Sequence, residues 1–177
     1  MGKVFVDVGM SLDGFIAGPN ARPGNPLGDG GTRIHEWLYP TAAFQERLGL
    51  SSGTTGPDND VVNAVFARTG ASILGRRMFD EGEVGWPENA PFRTPVFVVT
   101  HHAREPWLRP GGTSFHFVTD GIESALRQAR AAAGDLDVRV SGGANLIQQY
   151  INAGVVEELC LHLAPVPGSG AVAAASR

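Results

Sequence analysis

Val138-Arg139-Val140-Ser141-Gly142-Gly143-Ala144-Asn145-Leu146 is an apolar strand that runs into two glycines and then into a helix. Gly142 and Gly143 allow unusual dihedrals and a close approach of the backbone to a ligand. The amides of the following helical turn point at whatever lies there, and the helix dipole favours an anion. Two readings stand side by side: a pyrophosphate site, or a tight strand-to-helix turn with no ligand. The Gly-x-Gly-x-x-Gly fingerprint is absent, which argues against an ordinary Rossmann dehydrogenase.

Outward from this stretch, strands alternate with helices along nearly the whole chain. The periodicity predicts strands at 3–8, 71–74, 95–100, 114–118, 137–141 and 155–163. Helices are predicted from about Thr41, over 58–68 with Asp58 as its cap, over 120–133 with Glu123 in capping-box position, and over 144–153. Residues 75–93 read as loop with a helical turn near Met78. Residues 18–32, rich in Gly and Pro, fit no packed element and read as a long binding loop. A second polar loop, 51–57, is expected to help shape the pocket. Such alternation implies an α/β fold: a mostly parallel central sheet with helices on both faces.

Composition narrows the function. The 177 residues suit one domain, 42% are apolar and 18% charged, and the formal net charge is −4. No basic stripe offers itself to nucleic acid. No apolar run approaches the ~20 residues of a membrane span, and the N-terminus enters a strand pattern directly, so the cytoplasm is expected. The single cysteine, Cys160, lies in Leu159-Cys160-Leu161 and reads as a small core residue.

Ligands of open α/β sheets bind beyond the carboxyl ends of the strands. Besides Gly142-Gly143, two strand ends stand out. Ile73-Leu74-Gly75-Arg76-Arg77-Met78-Phe79 carries two arginines, whose planar forks pair with phosphate; the alternative is a solvated basic pair. Val98-Val99-Thr100-His101-His102, followed by Arg104, gathers hydroxyl, imidazole and guanidinium groups. Adjacent histidines point different ways and no tight Asp/Glu/His set accompanies them, so a phosphate or adenine contact is preferred over a metal. There is no Gly-x-Ser-x-Gly elbow, no Walker-type lysine, and only one lysine, Lys3. With no obvious nucleophile, chemistry carried by a bound cofactor is favoured.

Four segments in order, Met10-Ser11-Leu12-Asp13-Gly14-Phe15-Ile16-Ala17-Gly18, Gly75-Arg76-Arg77-Met78-Phe79-Asp80, Pro95-Val96-Phe97-Val98-Val99-Thr100 and Ser141-Gly142-Gly143-Ala144-Asn145-Leu146, give a resemblance. The chain resembles the dihydrofolate reductase-like fold, a three-layer sandwich, and within it proteins similar to the reductase domain of riboflavin biosynthesis. The resemblance implies NADPH. It puts Ile16 and Ala17 at the nicotinamide, and Gly75 to Met78 with Thr100 and His101 at the adenosine phosphate end. Gly142, Gly143 and the residues Ala144, Asn145 and Leu146 take the pyrophosphate. The 18–32 loop then closes over the nicotinamide.

It further implies hydride transfer to a small heterocyclic or carbonyl substrate, and a homodimer. A nucleotide-binding protein of the same fold without turnover is the alternative. For the proton, Glu36 and Asp13 are the available carboxylates, with Glu36 and Trp37 beside the substrate; Asp13 is read chiefly as a brace of its loop. Relatives continue past the last strand with a turn and an antiparallel strand. Residues 166–177 lack strand alternation, so the expected sheet is short of its final strand, with an exposed edge that a dimer contact would cover.

Overall fold

The computed structural model describes residues 2–167. One seven-stranded sheet runs through them: β1 (Val4–Ser11), β2 (Thr69–Gly75), β3 (Pro95–Val99), β4 (Trp107–Leu108), β5 (Ser114–Val118), β6 (Asp137–Gly142) and β7 (Glu158–Ala164). The spatial order is β4-β5-β3-β2-β6-β1-β7. Every pairing is parallel except β4 with β5. Five helices accompany it: α1 (Ala42–Arg47), α2 (Pro57–Arg68), α3 (Arg76–Glu83), α4 (Ile122–Ala133) and α5 (Ala144–Asn152). None of the described helices is long and apolar enough to cross a membrane.

Successive strand side chains point to opposite faces, and the two faces carry separate cores. Ala71, Ile73, Phe97, Val138 and Val140 pack with Ala125, Leu126 and Ala129 of α4 and Leu146, Ile147 and Tyr150 of α5. On the other face Leu74, Val96, Val98 and Phe115 pack around Phe79 of α3, with Trp86, Phe92 and Trp107 against them. This is the mostly parallel α/β sandwich predicted from the alternation of elements.

Several local expectations need correction. Residues 76–83 form a helix rather than a turn, braced by the i,i+4 pairs Arg76–Asp80 and Arg77–Glu81, each at 2.7 Å. Asp58 does not cap α2: Gly56 is the N-cap and Pro57 takes the first position, where a missing N–H costs nothing. The capping box at Asp120 does not form either, because α4 starts from Gly121 at φ 93° with no side-chain cap. Cys160 is only partly buried. It lies on the edge strand β7, where Leu159 and Leu161 are 50% and 42% exposed. The expected absence of a final strand concerns residues that lie mostly beyond 167, outside the described residues.

Candidate active site

A cleft of about 1310 Å³ opens along the carboxyl ends of the parallel strands. All thirteen positions expected at a cofactor line it: Ile16, Ala17, Gly75, Arg76, Arg77, Met78, Thr100, His101, Gly142, Gly143, Ala144, Asn145 and Leu146. Trp37 lines it as well. Glu36 is exposed and, like Asp13, is not among the lining residues. Asp13 accepts from the Ser11 hydroxyl at 2.6 Å, and that hydroxyl in turn accepts from the Phe15 amide, so the carboxylate braces the turn after β1. The 51–57 loop contributes nothing to the cleft lining; Thr54 instead pairs its backbone with Pro40 and Ala42.

At the glycine-rich end, Gly142 has φ 132°, and a Cβ there would come 3.0 Å from the Met78 sulfur. The positive φ favours glycine there, and any Cβ would press on the flexible Met78 side chain. A Cβ on Gly143 would meet nothing within 4 Å. Gly143 is the N-cap of α5 and supplies no side-chain cap, which leaves the first amides of the helix without that partner. The Ser141 hydroxyl beside them is buried without a hydrogen bond.

The two arginines sit at the mouth. Arg76 donates to Asp80 and, at 3.5 Å, to the buried Thr100 hydroxyl. Arg77, 77% exposed, donates to Glu81 and to the Ala21 carbonyl of the long loop. That loop is internally clamped by Asp29, which accepts from Asn20 and Asn25, and its Gly18, Ala21, Pro26 and Leu27 face the cleft. Arg104 is directed elsewhere, to Glu83 at 2.7 Å and over the rings of Phe79, Trp107 and Phe117.

The other end of the cleft holds a polar cluster that sequence reading missed. Asp7 of β1, Arg139 of β6 and His162 of β7 come together on one sheet face. The Asp7 carboxylate is nearly buried, its Oδ1 at 2.6 Å from His162 Nε2 and its Oδ2 at 2.8 Å from Arg139 Nη2. Burial alone would raise the Asp7 pKa, but the His162 hydrogen bond and the charges of Arg139, His162 and Arg68 outweigh it and hold the carboxyl below its ordinary value. An ionised carboxylate only accepts, so His162 Nε2 carries the hydrogen of that bond.

The His162 ring lies against the Trp37 indole, centroids 4.6 Å apart. Trp37 Nε1 and Arg139 Nε are buried without partners. His35 completes the group. Burial first, and then the charges of Arg139 and His162, push its pKa down, which favours the neutral ring. The 3₁₀ turn Gly31–His35 approaches β1 closely because residue 9 is glycine: a Cβ there would lie 2.9 Å from Ile34 Cγ2 and 3.1 Å from His35 Cε1.

A signal for this cluster existed. Strands buried on both faces of a parallel sheet read as continuous apolar runs, yet Val-Asp-Val, Val-Arg-Val and Leu-His-Leu each carry a polar residue in the middle.

Comparison with known proteins agrees with the fold. No curated protein matches the chain. Among solved structures, a protein described as a riboflavin biosynthesis protein from Shewanella sp. PV-4 superposes with a TM-score of 0.54 at 20% identity, over 96% of this chain and 84% of that one. The family model for the RibD C-terminal domain matches residues 2–170. The strand-end glycines, the arginine pair and the cleft thus stand on a fold whose family is shown by sequence, and the chain belongs to the RibD C-terminal domain family.

Proposed function

We propose that this chain is an NADPH-dependent reductase that delivers a hydride to a small heterocyclic or carbonyl substrate. The observation that carries the reading is the continuity of one cleft from an anion-seeking end to a polar, aromatic end. At the first end the Gly142-Gly143 turn, the uncapped start of α5 and the unpartnered Ser141 hydroxyl suit a pyrophosphate. The open space at Gly143 is room that a side chain would fill. Arg76 and Arg77 suit a further phosphate, which would draw them from Asp80 and Glu81. Ile16 and Ala17 line the same cleft and flank the nicotinamide in this reading.

Bound there, the cofactor supplies a hydride. The chain's own residues supply the rest: the glycine turn fixes the phosphates, the 18–32 loop covers the cleft from water, and Trp37 walls the substrate end. Binding titrations with NADPH and NADH test the reading. Replacing Arg76 and Arg77 together by Ala should weaken NADPH tenfold or more while NADH changes little, since a hydrogen bond to a charged group contributes about 1.5–3 kcal/mol. Equal losses for the two cofactors would return the arginines to a structural role. Failure of either cofactor to bind at millimolar concentration would refute the reading.

A further inference from the structure

We propose that His162 is the proton donor of this site, held by Asp7 so that its Nδ1 is the atom that exchanges the proton. The inference rests on the reductase reading. It assigns the proton to a residue that neither the carboxylates of the Glu36 region nor the turn after β1 provides. Reduction of a C=O or C=N bond needs two deliveries. The hydride adds its electron pair to the carbon, the π pair moves onto the oxygen or nitrogen, and that atom must then take a proton. The substrate class that follows is an acceptor whose double bond ends in a carbonyl oxygen or an imine-type ring nitrogen.

Elimination within the cluster points to one group. Asp7 has both oxygens engaged, with His162 and with Arg139, and carries no proton to give. Arg139 does not deprotonate in proteins. His35 also lines the cleft, but it packs against Gly9, and burial and the neighbouring charges push its pKa down, which favours the neutral ring over a proton-bearing one. His162 lines the cleft with its side chain 22% exposed, enough for proton exchange with solvent. Its Nε2–H is committed to Asp7 at 2.6 Å, so the imidazolium has one proton left to transfer, on Nδ1. After transfer the ring is neutral and still donates from Nε2 to Asp7, and water restores the Nδ1 proton. The Trp37 indole lies against the ring, centroids 4.6 Å apart and tilted by 31°, and limits its rotation. This is the division of labour by which a carboxylate sets the tautomer and orientation of a catalytic imidazole.

The groups that face His162 are Asp7 on β1, Arg139 on β6 and His35 on the 3₁₀ turn, with Arg68 acting on Asp7 from farther away.

Two measurements on the intact chain test the assignment. Long-range ¹⁵N–¹H spectra, with His162→Gln identifying the resonance, should show the neutral ring protonated on Nε2. A neutral ring protonated on Nδ1 overturns the proposal. In turnover, NADPH oxidation is followed with dihydrofolate as the C=N probe and menadione as the C=O probe. For an acceptor that is reduced, His162→Gln should lower kcat about 100-fold or more, remove the fall in rate at high pH, and leave KM within about twofold. Asp7→Asn should shift that alkaline fall with a smaller loss of kcat. Unchanged kcat in His162→Gln overturns the proposal. If neither probe is reduced, the tautomer decides. The Kd for NADPH, measured on the same samples, separates the two failures: wild-type protein that does not bind NADPH refutes the reductase reading, whereas normal binding with His162-independent turnover refutes only the donor.

Discussion

Arg68 shows how much one side chain can tie together. Its Nη1 and Nη2 donate to Glu158 of β7 at 2.5 and 2.9 Å, its Nε donates to Asp137 of β6 at 2.6 Å, and its guanidinium lies 4.3 Å over the Phe5 ring of β1. The hydrogen bonds from Arg68, and the thiol of Cys160, pull the Glu158 carboxyl down to about 2. A carboxylate with a depressed folded pKa stabilises the protein above its unfolded value of about 4.3, and that contribution disappears as pH falls toward 2. Urea unfolding between pH 4.5 and 2 should therefore show a steeper loss of stability in the wild type than in Glu158→Gln. Parallel pH dependences would remove the ion pair from the account of acid stability.

The contrast with the cleft is instructive at the same scale. The strand-end positions expected from sequence, at 75–78, 100–101 and 142–146, fall on the cleft wall because their signal is local: glycine, arginine, hydroxyl or imidazole groups directly after a strand; Ile16 and Ala17 were expected from the family resemblance and line the wall as well. Asp7, Arg139 and His162 lie as far as 155 residues apart in the chain, and only the β6-β1-β7 order makes them neighbours.

At the scale of elements, legibility followed length and periodicity. β5 spans 114–118 as its alternation predicts, and α5 differs from expectation by one residue. β4, two residues long, offers no period to detect. The 76–83 helix was hidden by Gly82, a weak helix former near its end; its i,i+4 ion pairs and the burial of Phe79 support it. Helices α4 and α5 share one core, and Tyr150 joins them directly. Its ring is buried, its hydroxyl donates to the Ile122 carbonyl at 2.8 Å, and desolvation pushes its pKa up. Tyr150→Phe removes that bond but keeps the ring, so stability should fall by about 0.5–1.5 kcal/mol, with more if the Ile122 carbonyl is left dry. Chemical denaturation measures the loss. Because Tyr150 is not part of the cleft wall, cofactor titrations of the variant should match the wild type, and a large change in NADPH affinity would mean that α4–α5 packing sets the glycine turn.

For the whole molecule, the sheet order puts the site near its middle and an apolar edge at one side. β2, β6 and β1 are central, each paired on both sides, and their carboxyl ends form the floor of the cleft. β7 is one of the two outer strands among the described residues, β4 being the other, and its Leu163 is 61% exposed. The cleft draws its wall from β1, the long loop, the 3₁₀ turn, α1, α2, β2, α3, β3, α4, β6, α5 and β7. A ligand that fills it therefore touches segments from residue 7 to residue 162 and binds only the folded chain. Under the reductase reading, NADPH at 100 times its Kd adds about 2.7 kcal/mol to stability. A domain of this size gains roughly 2–4 °C in Tm per kcal/mol, so thermal unfolding should move up by about 5–11 °C. The shift should grow with the logarithm of cofactor concentration, and at equal concentration NADH should give a smaller shift if Arg76 and Arg77 read the extra phosphate. Equal shifts for NADPH and NADH would keep the dinucleotide and discard the phosphate selectivity, whereas a Tm that ignores both would discard the dinucleotide as well.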